Sequence, residues 1–192
     1  MNNKIKIHLI SLALIALILL AGNVISSSSE QRILVYVSSF GFLALLLLIF
    51  VLTIPLLAKL KRNNLTIYLL KNIKWIGIYT FVFALIHVFL ASNFLFDWDF
   101  AEIAENPYRI LGIISFLILA LMTLTSNKFS IHLLGKNWKR IQNLIYIALI
   151  LVIIHSFNIG AIVMKNTAVK IIILILAVLL IAKKVRYWKF SK

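Results

Sequence analysis

The sequence predicts an all-α, polytopic membrane protein, a six-helix transmembrane bundle with both termini cytoplasmic. Three observations carry that prediction. Of 192 residues, 63% are hydrophobic and the mean hydropathy is +1.07, more apolar surface than a water-soluble domain of this size can hide. Apolar runs of spanning length recur at about 5–25, 33–58, 73–95, 108–126, 141–163 and 169–188. Between them the charge alternates: sixteen of the twenty basic residues fall at Lys4 and Lys6, from Lys59 to Lys74, from Lys128 to Arg140 and from Lys183 to Lys192, whereas all five acids lie in the other gaps. That is the positive-inside pattern.

The first run follows MNNKIK and precedes the small, polar AGNVISSSSE. Its length and the lack of an Ala-x-Ala site favour a retained helix over a cleaved signal peptide. The second run carries Pro55 near its inner end, and LTIYLL after Asn63-Asn64 is too short to span, so it is expected to lie along the inner interface before Lys71 and Lys74. Pro107 opens the fourth run, where a missing N–H costs nothing. The sixth ends in KKVRYWKFSK, a juxtamembrane anchor to anionic lipid with Tyr187 and Trp188 at the interface. Connections are short and no internal repeat or soluble domain is visible, so residues 1–192 read as one membrane domain.

A net charge of +15 confined to the ends of spans belongs to the lipid bilayer and implies no nucleic acid. With no cysteine, there are no thiolate or iron–sulfur ligands, and histidine is the strong nitrogen donor left to a metal. Two of the four histidines, His87 in FALIHVFLAS and His155 in LILVIIHSFN, lie deep in apolar spans. A titratable ring in hydrocarbon is costly and marks a functional site facing the bundle interior. Lys74 precedes His87 by thirteen residues and Arg140 precedes His155 by fifteen, which places both rings roughly 20 Å from the same membrane face. Two rings at matching depth can share one metal. Apart from Lys74 at the edge of the first, neither span holds an Asp, Glu, Lys or Arg to complete a proton relay. The sharper reading is bis-histidine ligation of a single b-type haem; the plainer one is a pair of histidines hydrogen-bonded between helices. On helical spacing Phe83, His87, Ala91 and Phe94 form one stripe, and Ala148, Leu151, His155 and Asn158 another. Arg109, Tyr108 and Asn93 are the candidate donors to haem propionates on the outer side.

Over about residues 40–188 the chain resembles the ferric-reductase-like transmembrane domain, and within it the MsrQ-type haem-binding subunits of periplasmic methionine sulfoxide reductase systems. The features that match are Thr53-Ile54-Pro55-Leu56, Gly77 ten residues before His87, Pro107-Tyr108, the LGIIS run from Leu111, Thr125-Ser126, Leu134-Gly135-Lys136, Trp138-Lys139-Arg140, Tyr146 and His155. The resemblance implies a bacterial inner-membrane electron conduit: His87 and His155 as axial ligands of one outer-half haem b, an inner-side donor (quinol, or a flavin reductase with FMN), and a soluble periplasmic molybdopterin sulfoxide reductase as partner. A further family histidine is replaced by Gln142, a poor iron ligand, and the arginine pair before the third span is reduced to Asn72-Ile73-Lys74. Lys74, Lys139 and Arg140, with Lys71 and Lys136, are the candidates for a flavin phosphate, or else ordinary inner-side charge. No G-x-G-x-x-G fingerprint appears, so the donor comes from elsewhere. The acidic outer segment DWDFAEIAEN is expected either to orient a redox partner or to be a solvated loop anchored by Trp98 and Phe100. Two other classes stay open: a stand-alone reductase of a small external acceptor, and a non-redox scaffold or transporter.

Overall fold

A computed structural model describes the backbone of residues 3–190 and the side chains of residues 5–184. Its helices are α1 (Asn3–Ile25), α2 (Ser29–Leu60), α3 (Asn64–Phe94), α4 (Phe100–Glu105), α5 (Pro107–Leu124), α6 (Lys128–Leu134), α7 (Lys136–Gln142), α8 (Ile145–Ile159) and α9 (Thr167–Phe190), with a 3-10 turn at Val163–Lys165. Among the described residues, five stretches are long and apolar enough to cross a membrane: Ile5–Ile25, Ser29–Leu60, Asn64–Phe94, Pro107–Leu124 and Lys136–Ile159. The sixth expected span, 169–188, falls on α9, which carries Lys170, Lys183 and Lys184. The anchor expected at Tyr187 and Trp188 lies outside the residues whose side chains are described.

One sequence expectation is overturned. The segment LTIYLL does not lie apart along the interface; it forms the first turns of α3, which runs unbroken to Phe94. The cause is a capping box. Asn63 Oδ1 accepts from the Thr66 N–H at 2.9 Å and Thr66 Oγ1 accepts from the Asn63 N–H at 3.0 Å, which satisfies donors that a helix start leaves open. Leu69, Ile73 and Ile76, spaced at helical intervals, then pack with Ile7 and Ile54 into an apolar cluster. A second boundary also moves. The run expected over 141–163 is divided at Asn143–Leu144, and its regular helix ends at Ile159, before Gly160.

The bundle is organised as two helix pairs, α2 along α3 and α5 along α8, with α1 laid on α2 and α3. Contacts of α3 with α5 and of α2 with α8 join the pairs. Phe40 and Phe83 stack at 6.2 Å between α2 and α3, and with Leu45, Leu48, Ala148 and Leu149 they form the buried centre. Ser115 on α5 donates to the Ala148 carbonyl on α8 at 3.1 Å, a buried polar tie suited to an interior without water. Leu17, Leu117, Ile150 and Leu179 are exposed on the periphery, as helices bathed in lipid require. His8 Nδ1 and the Tyr79 hydroxyl, 2.6 Å apart, pin α1 to α3.

Candidate metal centre

His87 on α3 and His155 on α8 meet across the junction of the two helix pairs. Their ring centroids are 6.3 Å apart and their planes are nearly perpendicular, at 82°. Each ring makes the same kind of hydrogen bond. His87 Nδ1 lies 2.8 Å from the Val37 carbonyl oxygen on α2, and His155 Nδ1 lies 2.8 Å from the Tyr108 carbonyl oxygen on α5. A carbonyl oxygen only accepts, so Nδ1 carries the hydrogen in both rings, and in a neutral imidazole the lone pair then resides on Nε2. This is the arrangement that fixes a histidine as a metal ligand, with one nitrogen anchored and the other free to coordinate.

The spacing suits one shared ion. A metal–imidazole bond of about 2 Å and about 1 Å from nitrogen to ring centre, doubled, come to about 6 Å between two rings on opposite sides of a metal. Among the described residues, no three His, Asp or Glu side chains gather into a metal cage. The donor set of two neutral imidazoles fits a haem iron, which His87 and His155 would hold and which would supply one-electron chemistry there.

Two glycines complete the geometry. A Cβ added to Gly41 on α2 would lie 2.7 Å from His87 Nδ1, and one added to Gly112 on α5 would lie 2.6 Å from His155 Nδ1. Neither glycine is assigned a role from sequence, where Gly112 enters only within the LGIIS run and Gly41 not at all. The signal available was a lone glycine inside each of two apolar helices, with no indication of what faces it.

Among the outer-side candidates, Tyr108 supplies its backbone carbonyl to His155. Arg109 donates from Nη1 to the Glu102 carbonyl at 2.7 Å and stacks over Phe96 at 4.4 Å. Asn93 Oδ1 accepts from Trp98 Nε1 at 3.3 Å. These contacts belong to an ordered connection between α3 and α5. Asp99 caps α4 through the N–H groups of Ala101 and Glu102, and Asp97 and Trp98 take positive φ values of 42° and 59° in the turn before it.

Of the flavin-phosphate candidates, Lys74 lies on α3 with its ammonium 5.5 Å from the Trp75 ring. Lys139 and Arg140 lie on α7, where Arg140 donates to Asn137 Oδ1 at 3.1 Å, and the packing of α7 is against α5 and α6. Gln142 donates to the Met122 carbonyl and to Thr125 Oγ1, both at 3.3 Å. Trp138 donates to the Thr125 carbonyl at 2.9 Å. Gln142 thus acts as a strut between α7 and the end of α5.

Comparison with known proteins gives a family and a group of relatives. The family described as ferric reductase like transmembrane component matches residues 39–153, a stretch that contains Gly41, His87 and Gly112 and stops just short of His155. The protein-methionine-sulfoxide reductase heme-binding subunits MsrQ of Salmonella paratyphi B and Salmonella newport are each 34% identical over 113 residues, which is 55% of this chain and 56% of each relative. The chain therefore spans about half the length of the curated relatives it matches. No solved structure matches it.

Proposed function

The chain belongs to the ferric reductase like transmembrane component family, and from that premise we propose that it is a b-type haem-binding electron-transfer subunit with His87 and His155 as the axial ligands of one haem. The observation that carries this reading is the matched state of the two rings: 6.3 Å apart, each with Nδ1 bound to a backbone carbonyl of a neighbouring helix. Simple packing does not require two imidazoles to hold the same tautomer toward one another. When bound, haem supplies a one-electron carrier within the apolar core.

The chain's own residues do the rest. His87 and His155 bind and orient; Phe40 and Phe83, both buried and stacked, help exclude water below the site. The Tyr108 carbonyl bond to His155 brings the start of α5 to the site, and in this reading Arg109 and, on α3, Asn93 would serve as donors to the propionates. In this reading six helices cross the bacterial inner membrane, with both termini on the cytoplasmic side. Electrons enter from an inner-side donor, quinol or flavin, and leave toward a periplasmic methionine sulfoxide reductase that docks on the acidic segment around α4. The support for that partner is the name of the relatives, and the support for the docking face is its charge and its fixed backbone.

The test is spectroscopic. The full chain purified from cells with ample haem supply should show a Soret band and a low-spin bis-imidazole signature, and His87→Ala or His155→Ala should abolish the latter. A colourless wild-type preparation would end the reading. Reduction of the protein in vesicles by menaquinol, and its reoxidation by a purified periplasmic sulfoxide reductase, would distinguish the partnered subunit from a reductase of small external acceptors.

A further inference from the structure

The two halves of the site are built alike, although the sequence shows no repeat. In each, a histidine on one helix donates Nδ1–H to a carbonyl of the neighbouring helix, and the residue four positions after that carbonyl is a glycine: Val37 and Gly41 serve His87, Tyr108 and Gly112 serve His155. The spacing has a physical reason. In an α-helix each side chain leans toward the N-terminus and covers the turn before it. A side chain at position i+4 therefore shields the carbonyl at i, whose second lone pair is its only capacity left after the helical bond. Glycine at i+4 leaves that carbonyl open to a ring from outside. Any larger residue puts a Cβ within 2.7 Å of His87 Nδ1 or 2.6 Å of His155 Nδ1, where the ring must move.

We infer that Gly41 and Gly112 are positioning residues for the axial ligands, each acting through one imidazole to hold its tautomer, its orientation and its strength as a donor. The inference rests on the haem reading above and goes beyond it. A ring N–H bound to a carbonyl makes the other nitrogen a stronger donor to the metal, and stronger donation favours the oxidised ion. Losing that bond raises the reduction potential and weakens retention of the macrocycle.

Gly41→Ala and Gly112→Ala, made singly in the full chain, test this beside Gly77→Ala. Gly77 lies on α3, and a Cβ there meets nothing within 4 Å, so its substitution reports the generic effect of alanine in a helix, which is favourable. The Gly77→Ala protein should match wild type in haem per polypeptide, low-spin signature and midpoint potential. Each of the other two should lose haem roughly tenfold, as loss of an outer-shell partner does elsewhere, and the haem that remains should have a more positive potential and a changed low-spin signal. Wild-type occupancy, signal and potential in both variants would overturn the inference while leaving the haem reading intact; a wild-type preparation without haem would end both. If the alanine variants fail to accumulate, the wild-type holoprotein carries the test through the exchangeable ring protons. Hydrogen-bonded, slowly exchanging Nδ1 protons on both axial imidazoles support the inference, and protons that exchange freely with water overturn it.

Discussion

At the residue scale, the contributions of the residues around this site to stability separate by magnitude. Phe83 has no exposed surface, stacks on Phe40 and lies one helical turn from His87. Truncation to alanine removes packing on every side, and large-to-small changes of this kind cost about 3–5 kcal/mol. Ser115 is equally enclosed but contributes one hydrogen bond to the Ala148 carbonyl, and such interhelical bonds in membranes average about 0.6 kcal/mol. Phe83→Ala should therefore lower the unfolding midpoint in detergent by far more than Ser115→Ala; equal effects would mean that the Phe40–Phe83 stack is not the centre of the fold. The histidines were legible in the sequence because an unpaired imidazole in an apolar run has few alternatives. Their glycines were not, because what gives Gly41 and Gly112 meaning is a ring from another helix, 46 and 43 positions later in the chain. Periodicity along one helix carries no record of its neighbour's register.

At the scale of elements, the sequence located the apolar stretches well and their ends less well, and the misplaced ends share a cause. Hydropathy marks where a helix is buried in lipid, whereas caps mark where it begins. Asn63 and Thr66 start α3 well before its apolar part, so the helix projects past the span that hydropathy defines. The capping box was visible as Asn63-x-x-Thr66, but threonine stands where glutamate or glutamine is the usual signal. Asn63→Ala should cost about 1 kcal/mol, concentrated in the first turns. Amide exchange at Leu65 to Leu70 should accelerate while the amides around His87 stay protected. Uniform acceleration along α3 would show instead that the cap supports the whole helix. The division at Asn143–Leu144 has a different origin: Gln142, Trp138 and their partners at the end of α5 hold α7 as a separate, fixed turn. The depth estimate by helical rise is accordingly sound for Lys74 to His87, along one unbroken helix, and less direct for Arg140 to His155, which crosses that division.

For the whole molecule, the alternation of charge along the chain makes one linked statement about topology. If the segments rich in lysine and arginine face the cytoplasm, then Ser27, Glu105 and Lys165 face the outside, and Arg62 and Lys136 the inside. The chain has no cysteine, so single cysteines introduced at these exposed positions report sidedness without background. A membrane-impermeant thiol reagent applied to intact spheroplasts should label Ser27→Cys, Glu105→Cys and Lys165→Cys, and should label Arg62→Cys and Lys136→Cys only after permeabilisation. The sixth crossing has its own reporter. Ser191→Cys should behave like Arg62→Cys if α9 returns the chain to the cytoplasm, and like Lys165→Cys if it does not. That outcome also bears on function, because α9 packs on α8 and α2 and so closes the bundle on the His155 side. An α9 left outside the bilayer would leave that side of the site bounded by lipid and not by protein.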